Sequence, residues 1–301
     1  MGTEDKDESR PFIDAMSRKK ARQFVLAEHV RAARAVQCAA PAIDSAVEEM
    51  IARLEVAGSR IFYVGAGTSG RQAVADGAEL LPTFGWPEDR VVYCVAGFPA
   101  SLWQSIEGAE DNVNAAQKLM SLYKVSAHDV VIAVAASGTT PFTWECLREA
   151  KSRGALTIGI SNNDYISPLL AEAECPIFLD TGPEPIVGST RMKAGTAQRI
   201  ALNTLSTLVM VGLGHVYLGE MVNVRAKCAK IDTRRVNMVM RLTDCSEEKA
   251  RDSLSESGGD VRIAIMLVKG CDLQSAQVFL ALTGGTLGSA LTLHELDQST
   301  G

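Results

Sequence analysis

Three short turns carry the residues whose types and spacing best suit chemistry. They read GAGTSGR at 65–71, ASGTTP at 136–141 and GPEPIVGSTRMKAGT at 182–196. Glycine lets the backbone approach a ligand closely, and the N-terminus of a following helix offers free N–H groups to an anion. Hydroxyl side chains in such turns suit a phosphate or the hydroxyls of a sugar. The turns together therefore predict a phosphosugar pocket.

A single turn of this kind has other interpretations. Taken alone, the first turn is also compatible with a tight strand-to-helix connection or with a dinucleotide fingerprint, but it lacks the Gly-Lys-Ser/Thr ending of a nucleotide P-loop. The candidate binding residues of the three turns are Gly67, Thr68, Ser69, Ser137, Thr139, Thr140, Glu184, Ser189, Thr190, Arg191 and Lys193.

Two cations stand near the start of the long apolar helix that follows the third turn. Arg191 and Lys193 are the positive charges nearest to any anion bound there. Cations at a helix N-terminus are unfavourable for the helix dipole. Their presence therefore favours an anionic ligand close by.

Five short apolar runs must position these turns. They read RIFYVGAG, RVVYCVAG, DVVIAVAASG, LTIGIS and, more weakly, CPIFLD, and helical segments such as 71–81 and 143–153 lie between them. Continuous apolar strands that alternate with helices are typical of a parallel sheet covered on both faces. The sequence therefore predicts an α/β fold, a three-layer αβα sandwich with a mostly parallel sheet, and a ligand at its carboxyl edge.

The texture of the chain divides it into three parts. We predict an N-terminal arm with helices at 1–57, a sheet domain at 58–220 and a small helical domain at 221–301. In the last part, helical segments open at three N-cap residues, which are Ser246, Asp260 and Asp272. We detect no repeat at a solenoid period.

Composition and charge exclude several classes of protein. The 301 residues carry a net charge of −6, which disfavours nucleic acid as a partner. The opening MGTEDKDESRPF is too polar for a signal peptide, and the apolar stretch 200–218 is interrupted by polar residues, so we expect no membrane span. Seven scattered cysteines without zinc spacing predict reduced, buried thiols in a cytoplasmic protein. We also expect no metal and no cofactor.

The three turns also resemble a known family. Read with their neighbours as VGAGTSGR, AASGTTP and TGPEPIVGSTRMKAGTAQ, they are similar to the sugar isomerase (SIS) family of phosphosugar-binding domains and, more narrowly, to the N-acetylmuramic acid 6-phosphate etherase family. The resemblance covers nearly the whole chain. It implies a lyase that cleaves the lactyl ether at carbon 3 of the sugar phosphate, giving N-acetylglucosamine 6-phosphate and D-lactate, in amino sugar catabolism and peptidoglycan recycling. It also implies a homodimer.

Two glutamates are the candidate catalytic residues. From the residues alone, Glu79 reads as a helix-surface acid, and Glu110 shares its candidacy with Glu107 and Asp111. The resemblance implies that Glu79, in GAELLPTFG, is the acid that protonates the leaving lactate oxygen. It implies that Glu110, in IEGAEDN, is the base that removes the carbon-2 proton. This chemistry requires two carboxylates of different protonation state.

Four positions depart from the family pattern, and at two of them Asp7 stands where the family has asparagine and Ala78 where it has serine. Thr139 stands where the family has arginine, and Phe98 stands where it has a second glycine. Losing an arginine near an anionic substrate removes a charge-assisted hydrogen bond, which leaves the carbon-3 substituent of the substrate open. Two other functions remain as alternatives: a non-catalytic phosphosugar-binding regulator that resembles the glucokinase regulatory protein, and a phosphosugar isomerase. Retention of Glu79 and Glu110 argues against the regulator.

Overall fold

The computed structural model describes residues 2–9, 12–163, 167–223 and 229–300. Its chain divides into two compact units. The first comprises Met1–Ala78 and Asp89–Thr207, and the second comprises Glu79–Glu88 and Leu208–Gly301. This division into compact units does not test the predicted domain limits after residues 57 and 220, which stay predictions.

A parallel sheet forms the centre of the first unit. Its strands are β1 (Ile61–Gly65), β2 (Val91–Val95), β3 (Val130–Ala135), β4 (Leu156–Ser161) and β5 (Cys175–Phe178). The strand order is β2-β1-β3-β4-β5, and every neighbouring pair is parallel. Each strand coincides with one of the five apolar runs of the sequence, so the predicted parallel sheet is confirmed.

Helices connect and cover the strands. In chain order they are α1 (Arg18–Cys38), α2 (Ala40–Leu54), α3 (Gly67–Gly77), α4 (Leu80–Phe84), α5 (Val113–Leu122), α6 (Pro141–Ser152), α7 (Pro168–Glu172), α8 (Lys193–Gly212), α9 (Ala229–Thr243), α10 (Glu247–Glu256), α11 (Val261–Val268), α12 (Leu273–Leu282) and α13 (Leu287–Thr300). In the first unit α2 packs on β3, β4 and β5, and α3 packs on β1, β2 and β3.

Alternate residues of β1 show that the sheet is covered on both faces. Phe62 and Val64 belong to a buried cluster with side chains of α5, α6 and α7. Tyr63 faces the other way, and its hydroxyl donates to Asp76 of α3 at 2.9 Å. Because helices lie on both faces, every residue of β1 is buried, which explains the continuous apolar runs. The predicted three-layer sandwich is confirmed.

The helix predicted at 71–81 differs from the structure at both ends. α3 begins inside the glycine turn at Gly67 and ends at Gly77, and α4 begins at Leu80. Pro82 gives the physical reason, because proline clashes with the preceding turn of a continuous helix but is tolerated in the first turn of a new one. Pro141 lies in the first turn of α6 for the same reason, as predicted.

The helices of the second unit begin where the sequence places their caps. Side-chain oxygens of Ser246, Asp260 and Asp272 accept hydrogen bonds from backbone N–H groups in the first turns of α10, α11 and α12. These bonds satisfy donors that a helix leaves open at its N-terminus. The three predicted N-caps are confirmed.

These three helices and α13 form a repeat of two helix pairs. α10 and α12 begin 26 positions apart, and so do α11 and α13. Each pair turns at two glycines of positive φ, Gly258-Gly259 and Gly284-Gly285. The second glycine of each turn donates to a leucine carbonyl at 2.7 Å. Two copies are too few to give the sustained period by which a solenoid is recognised in a sequence, so this repeat was not predicted.

Six of the seven cysteines lie in the described residues and form no disulfide there. Cys228 lies outside the described residues. Burial raises the pKa of Cys94 to about 12. In the part of the chain that the structure describes, no helix is both long and apolar enough to span a membrane.

Candidate functional site

The carboxyl ends of three strands lie side by side at one edge of the sheet. In the sheet register, Gly65 at the end of β1 pairs with Val95 of β2 and Val134 of β3. The first and second turns therefore leave neighbouring strands at this edge, and so does the segment 96–111 that follows β2. Parallel sheets bind their ligands at this edge.

The first turn is packed tightly against the sheet. A Cβ on Gly65 would lie 2.9 Å from the backbone nitrogen of Gly70, and a Cβ on Gly70 would lie 2.7 Å from a valine methyl group of β2. Because only glycine fits at both positions, α3 can begin directly at the sheet edge. Among the predicted binding residues here, Gly67 is exposed, Thr68 is half-buried and Ser69 is buried.

The hydroxyls of the second turn bond within the turn. The N–H of Thr139 donates to Ser137 Oγ at 3.2 Å, and Ser137 Oγ lies 3.5 Å from Thr140 Oγ1. Thr139 is exposed, and Ser137 and Thr140 are half-buried. The turn therefore holds the hydroxyls of Ser137 and Thr140 close together immediately before α6.

Two charged residues of the third turn are engaged inside the protein. The Glu184 carboxylate accepts from the N–H groups of Lys193 and Ala194, both at 2.9 Å, and so caps α8. Burial raises the pKa of Glu184, although these two hydrogen bonds act in the opposite direction. Lys193 Nζ lies 2.6 Å from Glu28 Oε2 of α1, where the side chains are 1% and 2% exposed. The role of Lys193 as an anion partner stays a prediction.

The other predicted residues of the third turn lie nearer the surface. Arg191 is exposed, and Ser189 and Thr190 are half-buried. A Cβ on Gly195 would lie 3.1 Å from Thr68 Cγ2 of the first turn. The first and third turns are therefore packed together, although they are far apart in the sequence.

A cavity of about 580 Å³ opens beside the first turn. It is lined by the start of α3 and by the segment 96–111, including Glu110. Glu107 and Asp111 line it as well, and all three carboxylates are exposed. Of the predicted site residues, the cavity brings together Gly67 and Glu110. Its geometry does not distinguish Glu110 from the two acids beside it.

Glu79 is not among the residues that line this cavity. It is the exposed residue that immediately precedes α4. It belongs to the second unit, whereas Glu110 belongs to the first. The partnership of the two carboxylates in one reaction stays a prediction.

The described residues contain no cluster of side chains suited to binding a metal ion. Within 2–9, 12–163, 167–223 and 229–300, no three His, Cys, Asp or Glu side chains form a group that could hold a metal ion. The expectation that the protein uses no metal and no cofactor stays a prediction.

Sequence reasoning missed three residues that the structure makes prominent. Arg71 and Ser101 line the cavity with Glu110, and Glu28 is the buried partner of Lys193. Arg71 carries a usable signal, since it is a cation in the first turns of a helix that follows a glycine turn. Ser101 and Glu28 have no such signal in the sequence, because each meets its neighbours only when segments that are distant in the sequence pack together.

The parallel sheet with hydroxyl-rich turns at its carboxyl edge has a counterpart among known domains. Residues 42–151 match the family model of the glucokinase regulatory protein N-terminal SIS domain. The fold and this match define the protein as an α/β protein with a SIS domain.

Similarity to whole proteins is more specific. The N-acetylmuramic acid 6-phosphate etherase of Deinococcus radiodurans is 47% identical over 259 residues, which are 86% of this chain and 84% of that protein. The protein of the same name from Cutibacterium acnes is 37% identical over 295 residues, 98% and 96% of the two chains. The chain belongs to the N-acetylmuramic acid 6-phosphate etherase family. A solved phosphoheptose isomerase from Francisella tularensis aligns with a TM-score of 0.48 at 15% identity over 65% of this chain and 100% of that one, and adds nothing to this assignment.

Proposed function

We propose that this protein is a lyase that cleaves the D-lactyl ether of N-acetylmuramic acid 6-phosphate. The products are N-acetylglucosamine 6-phosphate and D-lactate. The observation that carries the proposal is the cavity in which the exposed Glu110 carboxylate lies beside the first glycine turn. The names of relatives that match 86% to 98% of the chain support the same activity.

Glu110 is the proposed base. When the sugar ring opens, the aldehyde at carbon 1 acidifies the proton on carbon 2, and the carboxylate accepts that proton. A base must reach its proton directly. The exposed Glu110 carboxylate in an open cavity meets this requirement. Loss of the carbon-2 proton then expels the substituent on carbon 3.

Glu79 is the proposed acid. It protonates the ether oxygen as lactate leaves, so that a neutral hydroxyl departs instead of an alkoxide. The same carboxyl group then assists water in adding to the unsaturated intermediate, which restores a hydroxyl at carbon 3. This role rests on the resemblance of the segment GAELLPTFG to the family.

The three turns are the proposed binding surface for the sugar phosphate. Helix N-termini and hydroxyl groups at the carboxyl edge of the sheet stabilise a phosphate without any metal. The proposed contacts are the exposed or half-buried residues Gly67, Thr68, Ser137, Thr139, Thr140, Ser189, Thr190 and Arg191. Glu184 and Lys193 are engaged by other groups of the protein. The predicted binding roles of the buried residues Ser69, Glu184 and Lys193 stay predictions.

The two alternative functions have less support. The model of the regulatory protein's SIS domain matches residues 42–151, whereas etherase relatives match almost the whole chain. An isomerase moves a proton between carbons 1 and 2 and releases no carboxylic acid. We keep the homodimer and the cytoplasmic location as proposals that rest on the resemblance and on the composition.

Release of D-lactate from N-acetylmuramic acid 6-phosphate tests the proposal. The parent protein should release lactate, and Glu79→Gln and Glu110→Gln should each lower the rate by about 10²- to 10⁴-fold while the thermal unfolding midpoint stays near that of the parent. Glutamine keeps the size of the side chain and removes only its ability to exchange a proton. A folded parent that releases no lactate overturns the proposal.

A further inference from the structure

Among the described residues, one cation, Arg71, lines the cavity beside Glu110, and one edge of its guanidinium donates to no acceptor there. Arg71 Nε donates to the carbonyl of Ser101 at 2.9 Å, and Arg71 Nη2 donates to the carbonyl of Gln104 at 3.3 Å. These two bonds use one edge of the planar guanidinium. The adjacent edge keeps the N–H groups of Nη1 and the second N–H of Nη2, which together fit the two oxygens of a carboxylate.

The charge of Arg71 is not neutralised within the described residues. Among the described residues, no carboxylate lies within 4 Å of its guanidinium. The hydrogen-bond partners of the guanidinium are two main-chain carbonyls. Arg60 shows the usual arrangement in the same unit, since its Nη2 lies 2.8 Å from Asp129 Oδ2. The Arg71 guanidinium therefore has both the charge and the geometry to bind an anion.

An unpartnered hydroxyl lies beside this cation. Ser101 is 5% exposed and lines the same cavity as Arg71. Its Oγ has no hydrogen-bond partner in the part of the chain that the structure describes. A buried hydroxyl without a partner costs free energy. A ligand oxygen at this position would supply the missing partner.

We propose that Arg71 and Ser101 bind the lactyl carboxylate of the substrate. This inference rests on the proposed function. The ether oxygen lies on carbon 3, next to the carbon-2 proton that Glu110 removes, so the lactyl group must lie near Glu110. The phosphate lies at carbon 6, toward the other end of the open chain.

Electrostatics give the same assignment. Glu107, Glu110 and Asp111 all line the cavity and repel an anionic substrate group. Arg71 is the cation among the lining residues that offsets this repulsion.

The test compares two substrates in the parent and in Arg71→Met. One is N-acetylmuramic acid 6-phosphate, and the other is its lactyl amide, which has no negative charge on the lactyl group. For the acid substrate, the variant should lower kcat/KM roughly 10- to 100-fold, the effect of losing a charge-assisted pair. For the amide, Arg71→Met should lower kcat/KM much less, because the amide has no carboxylate for the Arg71 guanidinium to bind.

A second readout separates carboxylate binding from a disturbed loop. N-acetylglucosamine 6-phosphate has no lactyl group, but its carbon-2 proton can still exchange with D₂O through Glu110. Arg71→Met should leave this exchange rate near that of the parent. If the variant lowers the rates with all three compounds equally, Arg71 only holds the segment 96–111 in place and the inference is wrong.

Two further variants complete the experiment. Ser101→Ala should lower the acid-substrate rate less than Arg71→Met does, with the same preference between substrates. Arg153→Met is the matched control, because Arg153 also donates to a main-chain carbonyl, that of Met120, and does not line the cavity. It should not change the substrate preference, and an equal change there overturns the inference. A parent that cleaves neither ether, releasing neither lactate from the acid nor lactamide from the amide, overturns the proposed function instead.

Discussion

Two acids that follow strands of the same sheet have opposite surroundings. Glu184, after β5, is buried and accepts hydrogen bonds from two N–H groups at the start of α8. Glu110, after β2, is exposed and lines a cavity of about 580 Å³. Both oxygens of the Glu184 carboxylate accept hydrogen bonds that shape the turn. The Glu110 carboxylate is open to the cavity.

The buried side of this comparison extends to α1. Lys193, whose N–H is bound by Glu184, places its ammonium group against Glu28. Arg31 also pairs with Glu28, at 2.8 Å from its Oε1, but the Arg31 side chain is exposed. The third turn is thus held by buried charges that the solvent does not reach, and substitutions there should affect stability before activity.

Glu28→Gln should have the largest effect on stability. It removes the ion-pair partner of the buried Lys193 ammonium, and breaking a buried ion pair costs about 3–5 kcal/mol. The free energy of unfolding in urea measures this loss. Arg31→Ala is the control, because it removes the exposed partner of the same carboxylate and should cost less than about 1 kcal/mol. If both variants lose the same free energy of unfolding, the buried Lys193 contributes no more than the exposed Arg31, and the prediction is wrong.

Glu184→Gln should change how stability depends on pH. Burial raises the pKa of Glu184 in the folded state, while an unfolded glutamate has a pKa of about 4.3. A carboxyl group with a raised folded pKa contributes stability that is fully present below the unfolded value and is lost as the pH rises through the folded value. The parent should therefore lose this contribution as the pH rises from about 4, and the glutamine variant should not.

Urea unfolding of both proteins at a series of pH values measures this difference. The free energy of unfolding of the parent minus that of Glu184→Gln should fall as the pH rises. Glu110→Gln serves as the comparison, because its carboxylate is exposed. A difference that stays flat or rises for Glu184→Gln would contradict the buried environment assigned to this residue.

Glu107→Gln should have the smallest effect. Glu107 lines the same cavity as Glu110 but has no proposed role in proton transfer. Exposed substitutions usually change free energies by about 0.5 kcal/mol or less, so lactate release should stay within about twofold of the parent. A loss as large as that of Glu110→Gln would mean that the base is shared among the acids of this segment or is Glu107 itself.

Local patterns predicted much of the fold. The five strands, the proline at the start of α6 and the caps at Ser246, Asp260 and Asp272 each depend on residues adjacent in the sequence. The break between α3 and α4 was also readable in principle, since Pro82 marks it. The three turns at the sheet edge followed from the same patterns, because parallel strands end together.

The engagement of individual side chains was not predictable in the same way. Lys193 was expected to face a ligand, and in the structure it faces Glu28. Nothing near Lys193 in the sequence identifies that partner, because the pair forms only when α1 and α8 pack together. Ser101 is a similar case, since its burial depends on how the segment 96–111 folds back on α3. The roles of Glu79 and Glu110 stay predictions.

The paired helices of the second unit have a consequence for how that unit unfolds. Ala250 and Leu254 of the first pair and their equivalents Ala276 and Leu280 of the second belong to one buried cluster. Because equivalent residues of both pairs are buried in the same cluster, neither pair has a complete core without the other. The two pairs should therefore unfold together, in a single cooperative transition.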